Sequence, residues 1–232
     1  MVKVIKLRFF SLFRRYVLRF FSSEIAGWVK YQNIDEKKLF TSIPGYYHCL
    51  LDVGAFNGKF FTKFLKNYAS ECYFFEPIKE NFLELTKEIT QSNHYHLFNY
   101  ALVNESTAKL NKIRLSNELN SSSMIISSSD KSFETVRVMG FNDFFNKNLS
   151  NKENIFVKMN IEGAEYDLLE DIDNINLSKI DILLIQFHDF EKTHKKRRKF
   201  IVRRLLNSGF KIYFSYPFIW ECYIRDKDLA SK

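Results

Sequence analysis

Three times along this chain an apolar, strand-like run ends in an acid or amide, and each time a turn follows that opens a helix. The first is Cys49-Leu50-Leu51-Asp52-Val53-Gly54-Ala55-Phe56-Asn57-Gly58, the second Tyr73-Phe74-Phe75-Glu76-Pro77. The third runs from Ile155 through Asn160 and Glu162 to Gly163. Strands buried on both faces read as continuous apolar runs. Such strands alternating with helices predict an α/β fold, a mostly parallel sheet with helices on both faces. Ligands of open α/β sheets bind outside the carboxyl ends of the strands, which is where these polar residues fall.

Seven strands are predicted, over 47–53, 71–75, 95–103, 154–161, 180–187, 210–215 and 220–225. Helices are predicted over 58–69, 78–91, 164–171 and 192–208. The last two strands are separated only by a short loop at Tyr216–Pro217, so they predict an antiparallel end to the sheet. Residues 104–150 read as an insertion. Its Ser-rich middle, 117–130, is either a flexible connector or a lid over the site. Its end, 134–145, reads as an extra strand and a short helix. At 232 residues the chain fits one such domain over 31–232, preceded by a separate segment over 1–30.

That first segment carries Lys3, Lys6, Arg8, Arg14, Arg15 and Arg19, with no acid before Glu24. At helical spacing Arg8, Arg15 and Arg19 gather on one side. Ile5, Phe9, Leu12, Phe13, Tyr16 and Phe20 gather on the other. Residues 1–21 thus predict a basic amphipathic helix. Its charges are too frequent for a membrane span, and no small-residue cleavage site follows it. Two placements stay open: on an anionic membrane surface, or packed against the domain or a partner subunit. A net charge of +8 suits nucleic acid, anionic membrane or phosphorylated substrates without choosing among them. Cys49, Cys72 and Cys222 show no metal-ligand spacing, and an odd count argues against a disulfide framework. The expected setting is a reducing one, the cytoplasm or the inner face of a membrane.

The first turn has the spacing G-x-x-x-G and lacks the dinucleotide fingerprint G-x-G-x-x-G. It suits a ligand without a pyrophosphate. Asp52 is placed to receive an ammonium group, and Gly54 and Gly58 to let the backbone approach the ligand. A plain Asn-Gly turn is the alternative. Glu76 stands where nucleotide-binding folds place an acid for the ribose, whose vicinal diol suits the two oxygens of a carboxylate. The alternative is an acid that stabilises a helix N-terminus.

Together the three segments resemble the FkbM-type methyltransferase family. They stand here as D-V-G-A-F-N-G, F-E-P and K-M-N-I-E-G-A-E, and Asn99-Tyr100-Ala101-Leu102-Val103 is similar to the family's third strand. The resemblance covers about 47–190 and does not reach the N-terminal segment. It implies a Rossmann-like class I methyltransferase fold and S-adenosylmethionine as cofactor. It implies transfer of a methyl group to a hydroxyl, on a sugar, glycan or other small molecule, including anionic or lipid-linked acceptors. It also implies cofactor contacts at Asp52, Gly54, Asn57, Gly58, Glu76, Pro77, Asn99 and Ala101.

Asn160 stands where the family usually has Asp, and Gln186 where an acid is common. No convincing oxygen-ligand set for a divalent metal remains. The candidate catalytic residues are His188, Glu162 and Asn160, with Asp189 beside them. His188 follows the strand ending at Phe187 and is the usual type of base for a hydroxyl proton. A structural histidine is the alternative. Glu162 either faces the reaction or braces its loop, for instance by pairing with Lys158. The basic run His194–Lys199, with Arg203 and Arg204, reads as a solvated helix face or as a holder of anionic headgroups. An RNA methyltransferase and a non-enzymatic membrane adaptor are alternative readings. No separate RNA-binding module is visible, so nucleic acid is not the expected partner.

Overall fold

The apolar runs become the middle of a seven-stranded sheet. The computed structural model describes residues 29–89, 92–110, 112–116 and 133–226. The helix predicted over 1–21 and the Ser-rich stretch 117–130 lie outside them. The strands are β1 (Tyr47–Val53), β2 (Ala69–Phe75), β3 (Tyr95–Phe98), β4 (Ala101–Val103), β5 (Lys112–Ser116), β6 (Phe133–Gly140), β7 (Ile155–Met159), β8 (Ile180–Ile185), β9 (Phe210–Tyr216) and β10 (Trp220–Arg225). The helices are α1 (Glu36–Thr41), α2 (Phe61–Leu65, wound as a π-helix), α3 (Lys79–Glu88), α4 (Glu105–Ala108), α5 (Phe141–Asn148), α6 (Glu165–Asp171), α7 (Asn174–Lys179) and α8 (His194–Asn207).

The sheet order is β3-β2-β1-β7-β8-β10-β9. All neighbours are parallel except β10, which runs antiparallel to β8 and β9. This is the predicted Rossmann-like α/β architecture, antiparallel end included. The chain adds strands outward from β1 to β3, then returns to β7 on the other side of β1. That reversal opens a crevice at the carboxyl ends of β1 and β7.

Alternation along the strands sends side chains to two separate cores. Leu51, Val53, Phe75, Val157 and Leu183 pack beneath α5, α6 and α8, against Phe144, Tyr166 and Ile201. Leu50, Phe74, Phe156 and Leu184 pack on the opposite face, against Phe40, Phe61, Phe64 and Leu85. Every residue of β7 and β8 is buried. This two-sided burial is why these strands read as unbroken apolar runs.

One predicted strand divides. The run 95–103 is not continuous: β3 ends at Phe98, and β4 leaves for a second, three-stranded sheet ordered β4-β6-β5. Asn99 stands at the break. Its side-chain amide donates to the carbonyls of Glu76 and Pro77, both at 2.9 Å, so it braces the neighbouring loop instead of extending the strand. The extra strand and helix predicted over 134–145 are β6 and α5. The short helix α7 was not predicted. It is capped by Asp173, whose carboxylate accepts the Asn176 N–H, and six residues are too few for a periodic signal.

Candidate active site

Three loops meet at the carboxyl ends of β1, β2 and β7 and enclose a cavity of about 220 Å³. The first leaves β1 through Gly54, at φ +77°. A side chain there would start 1.9 Å from the Asn160 carbonyl, so only glycine lets the first and third loops touch. Phe56 follows, also left-handed at φ +51°, and its N–H donates to Glu76 Oε2 at 2.9 Å. Glu76 Oε1 accepts the Ile78 N–H at 2.9 Å and faces the Asn81 amide at 3.4 Å. The carboxylate is 5% exposed and lines the cavity. Burial raises its pKa above the usual carboxylate value, against the pull of these N–H donors and of Lys158.

Of the residues implied as cofactor contacts, Gly54, Asn57, Glu76, Pro77 and Ala101 line the cavity. Asp52, Gly58 and Asn99 do not. Gly58 adopts φ +80°, which favours glycine, and it packs against the side-chain ends of Leu85 and Ile89. Asn99 stands behind the acid loop, as described above.

Asp52 departs most from expectation. It is fully buried, and Lys158 Nζ lies 2.8 Å from its Oδ1. The two residues are register partners across β1 and β7, so their side chains share a face. Burial pushes the Asp52 carboxyl up, and Lys158 opposes that shift. Lys158 also donates to the Gly54 carbonyl at 2.6 Å, and it forms part of the cavity wall. The carboxylate thus already has an ammonium, supplied by the protein. It ties β1 to β7 beneath the cavity and lies outside the cavity lining.

The third loop carries Asn160, Ile161 and Glu162, all in the cavity wall. Asn160 Oδ1 is buried and has no hydrogen-bond partner among the described residues. A buried acceptor left unpaired costs about 1–3 kcal/mol, so this atom marks a place where a donor fits. Glu162 adopts φ +53°, a strained backbone for a residue with a side chain.

His188 sits behind Glu162 and does not line the cavity. Its Nε2 is 3.4 Å from Glu162 Oε2 and its Nδ1 is 3.1 Å from Glu165 Oε1. Glu165, fully buried in the first turn of α6, also accepts the backbone N–H of His188 at 2.7 Å and that of Gly163 at 2.8 Å. Burial alone favours a neutral ring, but the hydrogen bond and charge of Glu165, with the charge of Glu162, raise the His188 pKa. Burial likewise raises the Glu162 pKa, opposed by His188. Glu165 is not among the residues expected from sequence. Its signal was present, an acid in the first turn of a helix that starts beside the site. Asp189 is exposed at the rim, 3.5 Å from Lys195.

A family model described as the methyltransferase FkbM domain matches residues 52–212. No curated protein sequence matches the chain. Among solved structures, precorrin-6y C5,15-methyltransferase from Geobacter metallireducens is 8% identical, with 82% of this chain and 88% of that chain covered and a TM-score of 0.45. An rRNA methylase from Streptococcus thermophilus is 10% identical over 82% and 93%, with a TM-score of 0.44. M. capricolum TrmK in complex with S-adenosyl-homocysteine is 12% identical over 82% and 66%, with a TM-score of 0.42. These are distant likenesses.

Proposed function

The chain belongs to the FkbM methyltransferase domain family, and from that membership we propose that it transfers a methyl group from S-adenosylmethionine to a hydroxyl of a sugar, glycan or other small acceptor. The observation that carries the cofactor reading is Glu76. Its carboxylate is held at the cavity by backbone N–H groups of Phe56 and Ile78, with acceptor capacity left for a ribose diol. The residues present fit this cofactor. Glu76 would hold the ribose, the Gly54 turn would let the ligand lie against backbone, and the orphaned Asn160 Oδ1 would take an N–H of the methionine portion.

When bound, the cofactor supplies an electrophilic methyl group on a sulfonium, so the protein's tasks are alignment and removal of the acceptor's proton. Glu162 and Glu76 both line the cavity with pKa values raised by burial; with Glu76 given to the ribose, Glu162 is the group left to take the proton. Its Oε2 faces His188, which leaves Oε1 for the hydroxyl proton. His188 serves as the cation behind the base, and buried Glu165 fixes its orientation through Nδ1 and the backbone N–H. The base expected from sequence, His188, thus acts through Glu162.

Incubation with methyl-labelled donor and fractionated lysate tests the reaction. Label in a sugar or glycan fraction is the expected outcome. Label confined to RNA would replace the acceptor class, and donor binding without any transfer would favour a non-enzymatic role.

A further inference from the structure

The seven Lys and Arg residues of α8 divide sharply by direction. Arg197 pairs with Asp167 and Glu170. Arg198 makes a two-point contact with buried Glu221, 2.6 Å at each oxygen. Arg204 donates to carbonyls at the end of α6, including Leu169 at 2.6 Å. Lys195 lies 3.5 Å from Asp189. These four belong to the fold. Lys196, Lys199 and Arg203 do not. All three are exposed, none makes an ion pair among the described residues, and their spacing places them on one helix face. No acid occurs in the helix to offset them. On the same face Phe200 is 59% exposed and Leu206 44% exposed.

We propose that this outward face of α8 docks the protein on an anionic lipid surface. Cations attract the headgroups, and apolar side chains between them enter the headgroup boundary. Charge complementarity alone would also suit RNA. An exposed leucine and phenylalanine flanking the cations serve insertion into lipid and not contact with phosphates. The N-terminus of α8 is anchored near His188 through the inward side of the helix. His194, the first residue of α8, stacks on Tyr166 and lies 3.0 Å from the His188 carbonyl. Phe190, 47% exposed, stacks on His188 and covers Gly163, next to Glu162. The docking stands apart from the reaction and can be tested without a cofactor or acceptor.

The full chain should sediment with vesicles of phosphatidylglycerol and phosphatidylcholine, and not with phosphatidylcholine alone. The variant K196Q/K199Q/R203Q should lower that partition about 100-fold, from ~1 kcal/mol for each charge near the surface. Phe200→Ser should lower it about tenfold by removing an inserted ring. An unchanged melting transition would show that both variants remain folded. Equal sedimentation of the triple variant and the wild type would overturn the proposal. So would binding to a short RNA duplex with no binding to vesicles, which would make this a nucleic-acid surface.

Discussion

In the proposed reaction Glu162 carries the largest functional weight of any single residue. It must be ionised to accept a proton, and burial has raised its pKa. Turnover should therefore climb as pH rises through that raised value. His188→Ala removes the cation that opposes the shift, so the Glu162 pKa should rise further and the climb should move to higher pH. Glu162→Gln should abolish the climb and lower turnover about 10²–10⁴-fold, the range for a true general base, with donor affinity unchanged. The pH profile of methyl incorporation in the three proteins reads all of this; a wild-type profile in Glu162→Gln would return the residue to a bracing role. Asp52 calls for the opposite experiment. Asp52→Ala leaves Lys158 charged and nearly buried, which should cost about 3–5 kcal/mol of stability. Denaturant unfolding measures the loss. A stable variant with weakened cofactor binding would instead favour the ligand contact expected from sequence.

At the scale of elements, the strands were the most legible part of the sequence. β1 and β10 fall on their predicted bounds, while the fully buried β7 and β8 each end two residues before theirs, at Met159 and Ile185. The split of 95–103 was hidden, since only the tertiary position of Asn99 beside Glu76 and Pro77 reveals it. The fate of Asp52 was hidden for a related reason. Parity along β1 puts it on the face of Leu50, but the register that sets Lys158 opposite it belongs to the β1–β7 pairing. His188 was found by type and position, while its separation from the cavity by Glu162 depends on a left-handed loop. Gly54 was legible as a turn residue, and the structure supplies the harder constraint, the Asn160 carbonyl 1.9 Å from any added Cβ. Gly54→Ala should cost at least ~1–2 kcal/mol from the positive φ alone, and more from the clash. Both a lower melting temperature and lost cofactor binding are expected; retention of both would mean that the two loops part without penalty.

The whole molecule places its binding loops at one end of a sheet whose reversal at β1 and β7 opens the crevice. The fold class follows from the order of strands and helices, and the family from three short motifs in that order. The acceptor is not written in either, because methyl transfer needs little from it beyond a positioned nucleophile. Every proposed role rests on cofactor binding, and calorimetry with S-adenosyl-homocysteine tests that binding most directly, since this product binds without turnover. Micromolar affinity, about −8 kcal/mol, is expected for the wild type. Glu76→Ala should weaken it by about 1–3 kcal/mol, as for hydrogen bonds to a charged group. No heat of binding with either sulfur ligand, alongside clear binding of NAD, would contradict the account.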